Sequence, residues 1–278
     1  MEQQVYEKRG YLRENYRLFH LRGALEETVD WHYHTFHKII VFLSDGAGYG
    51  IEGRSYSPQA GDLMLVAGGC IHRPEVRQGA PYERMILYIS PEFIRAHSTP
   101  SCDLESCFTA AREEFQFVVR PGSARRELLQ TLRLLEQESA GTQLGSEIMS
   151  DALFMQFLVG VCRGMQAHQL EVVTSSVCDE KIAAILEYLS QHLTQEITID
   201  DLAAQFYISK YHMMRRFRAE TGYTIHNYLA TKRLLLAREK IAAGLPVGEA
   251  CYQCGFREYS TFARAYKKLF SEPPRGAR

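Results

Sequence analysis

The sequence predicts an α+β protein: an amino-terminal β-barrel with a helical arm, followed by an all-α unit in which a long helix joins two similar motifs. Three observations predict this organisation. Short β-rich runs separated by Gly, Pro and Asp occupy about residues 10–90. Apolar residues then recur with helical spacing through most of the remaining chain. At 278 residues, with 46% hydrophobic and 23% charged side chains, the chain is long enough for two cores.

The β-rich region, assigned with its flanks to residues 1–100, contains six strand-like runs. In chain order they read LFH, HKIIVFLS, GYGIEG, SYSP, GDLMLVAGG and ERMILYIS. Their close spacing is typical of a small antiparallel sandwich or barrel, and the SDGAGYG and IEGRSY segments have the residues that hairpins require. The apolar run from Met85 to Ile89 is continuous rather than alternating. We therefore expect that strand to be buried on both faces.

A helical arm and a linker are assigned to residues 101–175. Residues 123–139 carry an apolar stripe with i, i+4, i+7 spacing, and a second apolar helix covers Ser146–His168. The members of the stripe are Leu128, Leu132 and Leu135. Two interpretations stay open: the stripe covers the barrel, or it meets its copy in a second chain and forms a homodimer. Residues 169–179 show no clear period and are interpreted as a linker.

The last part of the chain, residues 179–278, is predicted to be helical throughout. Within residues 199–221 a short helix, a tight turn and a longer basic helix follow one another. Thr198 precedes two acidic residues and is a good N-cap for the short helix. Ser209 is the N-cap of the longer helix, which we expect to end at Gly222. This order of elements is the helix-turn-helix plan.

The same plan recurs at residues 247–270, with Gly255 in the turn. Between the two copies, residues 224–243 are strong helix formers, and about 20 residues at about 1.5 Å each make a helix about 30 Å long. Adjacent major grooves on one face of B-DNA lie about 34 Å apart. The spacing therefore predicts that one stiff helix holds two recognition helices in consecutive grooves.

Charge supports this interpretation. The whole chain has a net charge of −1, but residues 205–278 contain 14 Lys and Arg against 5 Asp and Glu. Residues 1–178 contain 17 Lys and Arg against 22 Asp and Glu. A basic region joined to an acidic one indicates that one domain meets a polyanion and the other does not.

Helical spacing sorts the two basic helices into faces. The side chains expected to point inward are Met213, Phe217, Phe262, Tyr266 and Leu269. The outward residues suited to DNA bases are Tyr211, Met214, Arg215, Tyr259, Ser260 and Arg264. Those suited to phosphates are Ser209, Lys210, Arg218, Lys232, Arg257, Lys267 and Lys268. The alternative is a solvated charged face with no DNA role.

Residues from about 180 onward resemble the DNA-binding domain of the AraC/XylS family of bacterial transcription regulators. The matching stretches are ITIDDLAAQFYISKYHMMRRFRAETGYTIHNYLATKRLLLAREKIAAG and PVGEACYQCGFREYSTFARAYKKLFSEPPRGAR. The amino-terminal part resembles the cupin-like effector domain of that family. The resemblance implies a cupin-like barrel that binds a small-molecule effector, a sugar or another polar metabolite. It also implies promoter DNA as a partner, with RNA polymerase as a further candidate.

The sequence departs from that family at two places. Ala250-Cys251 and Cys254 stand where aliphatic or Ala residues are usual, and the tail reads Pro273 to Gly276 in place of Pro-x-x-Tyr-Arg. The CxxC spacing has no second pair nearby, so we expect both thiols to be core residues rather than zinc ligands.

Histidines in the barrel leave two interpretations open. His32 and His34 follow the first cupin motif and His72 the second, but Lys38-Ile39 stands where the first motif has a Glu. Three imidazoles can hold a divalent ion, which makes a metal-dependent cupin enzyme or metal sensor the alternative function. The favoured interpretation is a metal-free effector pocket, with no cofactor. Its expected members are Trp31, His32, His34, His37, Tyr49 and His72.

Other function classes find little support in the sequence. No apolar run reaches the length of a membrane span, and the amino end has no secretory h-region, so a cytoplasmic protein without membrane contact is expected. No nucleophile–base set, phosphate loop or carboxylate pair is evident. We therefore predict a regulator and not an enzyme.

Overall fold

The computed structural model describes residues 12–23, 29–76, 81–176 and 179–275. The chain divides into two compact units, residues 1–176 and residues 177–278. Gly276, part of the unusual tail, lies outside the described residues. Each unit has its own core and is described separately.

The first unit contains two antiparallel sheets. One has six strands in the order β1-β7-β2-β5-β8-β9 and the other three in the order β4-β3-β6. The strands are β1 (Tyr16–Leu21), β2 (His37–Phe42), β3 (Ala47–Ile51), β4 (Arg54–Tyr56), β5 (Leu63–Val66), β6 (His72–Val76), β7 (Arg84–Ile89), β8 (Val118–Pro121) and β9 (Leu170–Val172). The expected closed barrel is therefore corrected: in the described residues the strands form two separate sheets.

Local chemistry explains the strands that the sequence predicted. All of β2 is buried, and within β7 only Arg84 and Tyr88 are partly exposed, so the prediction that this apolar run is buried on both faces is largely confirmed. The β3–β4 hairpin turns at Glu52 and Gly53, whose φ values of 47° and 74° fit a two-residue turn with both residues left-handed. The expected hairpin at this segment is confirmed.

Three strands were missed for different reasons. β6 begins at His72, after the predicted run GDLMLVAGG, and was missed because its sequence HRPEV is polar and contains a Pro. β8 pairs with β5 over a long chain separation, and Arg120 of β8 binds the buried Asp62 carboxylate through two bonds of 2.8 Å. β9 pairs with β8 and replaces part of the predicted linker 169–179.

Helices cover the six-stranded sheet. They are α1 (Pro91–His97), α2 (Ser106–Glu113), α3 (Arg125–Ser139) and α4 (Ser146–Gln166). The leucine stripe of α3 is buried within the same chain, because α4 and the sheet pack on it. Its members Leu128, Leu132 and Leu135 are 4%, 0% and 0% exposed. The stripe therefore covers the sheet, and the idea that these leucines meet a second copy is corrected.

The composition and length of α4 would also suit a membrane span. Its apolar face is instead part of the protein core: Phe154, Leu158 and Val161 are fully buried beside the sheet and α3. The helix also begins with Ser146 and carries acidic and basic residues. A core helix of a soluble domain passes the same length and composition test, and the packing of α4 fits that explanation.

The second unit consists of six helices among its described residues. They are α5 (Glu180–Gln191), α6 (Ile199–Gln205), α7 (Lys210–Thr221), α8 (Ile225–Ala242), α9 (Val247–Gln253) and α10 (Tyr259–Phe270). The predicted caps of the first motif are confirmed: Thr198 Oγ1 accepts the Asp201 N–H at 3.1 Å, and Ser209 Oγ accepts the His212 N–H at 3.4 Å. Gly222, at φ 73°, ends α7 as expected.

The central helix α8 is shared by the two motifs. Near its start, Tyr228 packs edge-on against Phe217 of α7, with ring centres 5.6 Å apart. Farther along, Leu234 and Ala237 belong to one buried cluster with residues of α9 and α10. Its 18 residues span about 27 Å at about 1.5 Å per residue. This length is slightly below the 30 Å expected from the sequence.

Candidate DNA interface and ligand cavity

The exposed face of α7 carries the side chains predicted to read bases in the first motif. Tyr211 and Met214 are 73% and 45% exposed, and Arg215 beside them is exposed as well. On the opposite face Met213 and Phe217 are fully buried. The predicted sorting of this helix into faces agrees with the structure. Contact with DNA bases stays a prediction.

The second basic helix, α10, repeats this arrangement. Tyr259 is 46% exposed, the adjacent Ser260 is exposed, and Arg264 is exposed one turn farther along. Phe262 and Tyr266 are buried as expected, whereas Leu269 is only half-buried and Phe270 completes the inner face. The Arg264 Nε–H donates to the Ser260 carbonyl at 3.2 Å, which holds this guanidinium along the surface of its own helix.

Most residues predicted to bind phosphates lie on the protein surface. Those exposed are Ser209, Lys210, Arg218, Arg257, Lys267 and Lys268. Lys210 is ion-paired with Asp200, and Arg257 with Glu196. Exposed ion pairs of this kind are worth at most about 1 kcal/mol, so a phosphate can displace either carboxylate at small cost. Lys232 is half-buried, with its Nζ 5.3 Å from the centre of the Tyr228 ring.

Arg233 organises the second motif, and sequence reasoning missed it. From α8 its guanidinium donates to three main-chain carbonyls: Leu193 at 2.7 Å, Gln195 at 2.6 Å and Gly255 at 3.1 Å. The first two follow α5, and the third is in the turn between α9 and α10. Arg233 therefore fixes the turn that positions the second basic helix. The sequence analysis predicted residues 224–243 to form one long helix from their helix propensity and length. Neither property indicates which residues of that helix anchor the neighbouring turn.

The two cysteines of the CxxC segment are core residues, as predicted. Cys251 and Cys254 are fully buried in the cluster that joins α8, α9 and α10. Burial raises the pKa of the Cys254 thiol to about 11, so this group is a neutral thiol at physiological pH.

A cavity of about 200 Å³ lies within the first unit, beside both sheets. Its lining residues are Leu21, Val29, His32, His34, Lys38, Ile40, Tyr49, Pro74, Tyr82, Arg84, Ile86 and Tyr88. Two of them, Lys38 and Arg84, are cations, and none of the described lining residues is a carboxylate. Of this set, the sequence analysis assigned only His32, His34 and Tyr49 to the effector site. Lys38 interrupts an apolar strand, which is the signal that could have revealed it.

Burial controls the protonation of the cavity wall. It lowers the pKa of the Lys38 ammonium to about 7, and the nearby Arg84 guanidinium acts in the same direction. Burial also raises the pKa of Tyr82 to about 12 and that of Tyr49 well above its usual value, so both phenols stay protonated. The cavity thus offers phenol hydroxyls and cationic groups to a polar ligand.

Three histidines meet at one side of this cavity. The ligand-capable ring nitrogens of His32, His34 and His72 all lie within 4.8 Å of one another, and all three side chains are buried. Burial lowers the pKa of His72 well below its usual value, as do the charges of Lys38 and of the other two rings. His72 is therefore neutral at neutral pH. The structure brings together the three histidines that the sequence grouped.

Two residues predicted for the effector site, His37 and Trp31, lie outside this cavity. His37 accepts the Gly68 N–H at Nδ1, 3.1 Å away, and its Nε2 is 3.1 Å from the Glu105 carboxylate, so it ties β2 to the residues before α2. The Trp31 ring packs over Gly50. The guanidinium carbon of Arg73 lies 4.5 Å from the centre of that ring. Neither side chain lines this cavity.

A second cavity, of about 500 Å³, lies under α3. Some of its charged groups, which also include Arg125 and Arg133, are paired with one another. His20 is hydrogen-bonded to Glu136 at 2.7 Å and to Glu83 at 2.8 Å, and Glu83 also pairs with Arg22 at 3.2 Å. A polar ligand bound beside His20 would have to compete with these pairs.

An amino-terminal unit with a ligand-sized cavity, joined to a unit with two exposed basic helices on a central helix, defines a ligand-responsive DNA-binding regulator. Comparison with known families agrees. Residues 17–158 match the AraC-like ligand binding domain, and residues 202–278 match a helix-turn-helix domain. The chain belongs to the AraC family of transcriptional regulators.

Curated relatives span nearly the whole chain. It is 26% identical over 259 residues to the HTH-type transcriptional activator RhaS of Salmonella arizonae, covering 89% of this chain and 86% of the relative. RhaS of Escherichia coli strain K12 / DH10B is 25% identical over 249 residues, with the same coverage. With these relatives and the two family domains, the protein is a DNA-binding transcriptional regulator that senses an effector.

Solved structures also match. Unsaturated fatty acid-bound ToxT from Vibrio cholerae covers 95% of this chain and 95% of its own, with 14% identity and a TM-score of 0.38. The DNA-binding domain of AdpA, a global transcriptional factor in complex with a target DNA, covers 34% of this chain and 87% of its own. That match has 27% identity and a TM-score of 0.33.

Proposed function

We propose that α7 and α10 are the recognition helices, and that they enter successive major grooves of promoter DNA. The observation that carries this proposal is that both helices pack on α8 and expose a basic face. The base-reading residues are those of the sequence analysis: Tyr211, Met214, Arg215, Tyr259, Ser260 and Arg264. Phosphate contacts come from the exposed Lys and Arg residues around them, and Lys232 is the least accessible of that group.

Single substitutions on each helix test this proposal. A guanidinium on guanine is worth about 1–3 kcal/mol, so Arg215→Ala and Arg264→Ala should each weaken binding to a selected site about 5–150-fold and relax preference at one base pair. Sites are selected from a random DNA library with the full chain. Arg163→Ala, an equal loss of exposed charge near the end of α4, is the control and should leave selection unchanged. Uniform weakening on all sequences would instead indicate phosphate contact only.

We propose further that the 200 Å³ cavity binds the effector. Its volume suits a small metabolite rather than a drug-sized ligand. The phenol hydroxyls of Tyr49, Tyr82 and Tyr88 can bond to ligand hydroxyls, and Lys38 with Arg84 can neutralise an acidic group. A sugar acid or a related hydroxy acid satisfies both features better than a neutral sugar.

Thermal stabilisation of the full chain by a panel of sugars and sugar acids tests the cavity. A ligand at 100 times its Kd adds about 2.7 kcal/mol to stability. Arg84→Met should abolish the stabilisation by an acidic ligand, whereas Arg73→Met, outside the cavity, should retain it. Stabilisation that survives Arg84→Met unchanged would place the ligand elsewhere.

We also propose a homodimer formed through the outer face of residues 123–139 and the start of α4. With the leucine stripe buried, the apolar side chains left on this surface are Leu134, Leu144, Ile148 and Met149, which are 42%, 106%, 75% and 51% exposed. Sedimentation of the full chain should show a dimer that Ile148→Asp converts to a monomer. A wild-type monomer, alone and on DNA, would remove this proposal.

The remaining partners follow from regulation of transcription. We propose that the protein acts in the cytoplasm, that it contacts RNA polymerase when bound at a promoter, and that it has no catalytic activity of its own. A bacterial two-hybrid assay against the polymerase subunits tests the second point. An effector recovered unchanged after incubation with the protein supports the third.

A further inference from the structure

Lys38 is a lysine buried in the wall of the proposed effector cavity. It lies on β2, all of which is buried, and only 6% of the residue is exposed. In the register of β2 with β7 it pairs with Tyr88, and Phe42 pairs with Arg84. Lys38 and Phe42 are four residues apart and share a face of the strand, as do directly paired residues of two strands. Lys38, Tyr88 and Arg84 therefore lie on one face of the sheet, the face that lines the cavity.

The surroundings of the Lys38 amine favour its neutral form. None of the described lining residues is a carboxylate that would neutralise an ammonium group, and the Lys38 Nζ lies 5.8 Å from the centre of the Tyr88 ring. Burial lowers the pKa of Lys38 to about 7, and the Arg84 guanidinium acts in the same direction. About half of the Lys38 side chains are therefore neutral amines at pH 7, against fewer than about one in a thousand for an exposed lysine. A neutral amine is a nucleophile, and burial beside a second cation is one way in which proteins activate lysine for imine formation.

Other groups on the cavity wall suit the remaining parts of a carbonyl ligand. Arg84 donates through Nη1 to the Tyr82 carbonyl at 2.9 Å, and a guanidinium has further N–H groups that can pair with a carboxylate. Burial keeps the Tyr82 and Tyr49 hydroxyls protonated, so both can donate to a carbonyl or hydroxyl oxygen. The Cα atoms of Lys38 and Arg84 are about 13 Å apart along the strand direction, and the guanidinium carbon packs on the Tyr82 ring at 3.8 Å. The amine and the guanidinium therefore meet different ends of a ligand.

We propose that Lys38 binds the effector as a reversible imine, and that the effector is a small acid whose aldehyde or ketone carbonyl lies several bonds from its carboxylate. The inference rests on the effector cavity of the proposed function and adds the chemistry of capture. The Lys38 nitrogen attacks the carbonyl carbon, a cavity phenol protonates the carbonyl oxygen, and the phenolate takes a proton back from the nitrogen. The resulting carbinolamine loses water as the C=N bond forms, with both hydrogens of that water coming from the amine and the oxygen from the carbonyl. No oxidant or reductant takes part, and hydrolysis returns the effector unchanged.

Reductive trapping identifies the lysine that reacts. The full chain is incubated at neutral pH with 4-oxobutanoate or D-glucuronate, and sodium cyanoborohydride converts any imine into a stable secondary amine. Peptide mass spectrometry should find one adduct per chain, on Lys38, formed at least about 10-fold faster than on exposed Lys267 because its neutral fraction is far larger. The matched acids 4-hydroxybutanoate and D-gluconate have no aldehyde or ketone and should leave Lys38 unmodified. Equal labelling of Lys38 and Lys267, or no adduct on Lys38 with either carbonyl acid, would overturn the proposal.

A substitution then separates the amine from the rest of the cavity. Lys38→Met keeps most of the side-chain length and replaces a buried basic group by an apolar one, so the variant should fold. The rapid adduct and the thermal stabilisation by 4-oxobutanoate should both be lost, whereas the matched control Lys267→Met should retain both. An adduct that forms at the wild-type rate in Lys38→Met would refute the assignment. The adduct map of the wild-type chain needs no substitution, so it decides the question even where the variant is unstable.

The imine and the proposed function fail in different ways. Stabilisation by D-gluconate or another acid that Arg84→Met abolishes, with no adduct on Lys38, would remove only the imine and leave the effector cavity in place. An adduct on Lys38 that leaves the affinity for selected DNA unchanged would keep the imine and remove the effector role. Neither stabilisation nor an adduct with any of these acids would remove both.

Discussion

The two helix-turn-helix motifs of the second unit reach similar arrangements by different means. In the first, Thr198 and Ser209 cap both helices with their side chains. In the second, Pro246 and Glu258 occupy the corresponding positions and make no side-chain cap bond. Arg233 provides a different anchor there, because its guanidinium joins the Gly255 carbonyl of the turn to the Leu193 and Gln195 carbonyls that follow α5.

The turns inside the two motifs also differ in how their left-handed residue is accommodated. Tyr207 in the first turn has φ 49°, an unfavourable value for a bulky residue, and its side chain is 89% exposed. Gly255 in the second has φ 82°, and a Cβ there would lie 2.9 Å from the Thr194 carbonyl oxygen. The first motif is thus specified by local sequence and tolerates strain, whereas the second is specified by tertiary contacts and tolerates little change.

The largest effect is expected at Arg233. Arg233→Met removes three charge-assisted hydrogen bonds from main-chain carbonyls and should cost about 2–4 kcal/mol of unfolding free energy. Urea unfolding followed by far-UV circular dichroism, which reports the helical unit strongly, measures this loss, while Trp31 fluorescence reports the first unit. Arg238→Met, which loses an exposed ion pair and a ring contact on the same helix, should cost less than about 1 kcal/mol. Equal losses would show that Arg233 is not a special anchor.

Gly255→Ala should have the next largest effect. The left-handed backbone penalises Ala by about 1 kcal/mol, and the close Thr194 oxygen adds to that cost, for a total of about 2 kcal/mol. Gly244→Ala separates the two contributions, because Gly244 has φ 96° and its Cβ would meet no atom within 4 Å. Chemical denaturation measures the unfolding free energy of both variants. Equal losses for Gly255→Ala and Gly244→Ala would show that the Thr194 carbonyl oxygen beside Gly255 adds no cost.

Removal of a cap should have a smaller effect. Ser209→Ala deletes the bond to the first turn of α7 and should cost about 1 kcal/mol. Glu258→Ala at the corresponding position of α10 should cost little, since no side-chain cap bond exists there. Thermal unfolding of the two variants beside the wild type gives the difference. A loss at Glu258 as large as that at Ser209 would contradict the contrast between the motifs.

The smallest effect is a gain. Tyr207→Asn places a residue that tolerates the left-handed region at an exposed turn and should stabilise the protein by about 0.5 kcal/mol. Tyr207→Phe keeps the strain and is the control, with no change expected. Destabilisation by Asn, seen as a lower denaturation midpoint, would indicate that the Tyr207 ring makes a contribution that its exposure conceals.

Sequence reasoning succeeded where local chemistry decides the outcome. Caps such as Ser209, the glycine that ends α7 and the period of buried residues on the basic helices are all written in short stretches of sequence. Most of the six predicted strands are short apolar runs, and the others were recognised by their hairpin residues. The fold class and the family follow from such signals, because each depends on residues that are close together in the chain.

It failed where distant residues decide the outcome. The β5–β8 pairing joins residues more than fifty positions apart, and Arg120 and Asp62 show no relation in the sequence. Arg84 belongs to the cavity only because β7 lies beside β2. His37 has the same local sequence context as the histidine cluster, yet a hydrogen bond from Gly68 and a contact with Glu105 place it elsewhere. Spacing alone cannot separate these cases.

Because buried residues of α8 pack against both motifs, this helix limits which substitutions can change the DNA-binding preference of the protein. Its buried residues include Tyr228 beside the first motif and Leu234 and Ile241 beside the second, so a change in this helix disturbs both motifs at once. The outward residues of α7 and α10 carry no such constraint. Under the proposed base contacts, exchange of a few surface residues would change the binding preference of one motif at a time, while α8 and the residues packed on it stay unchanged.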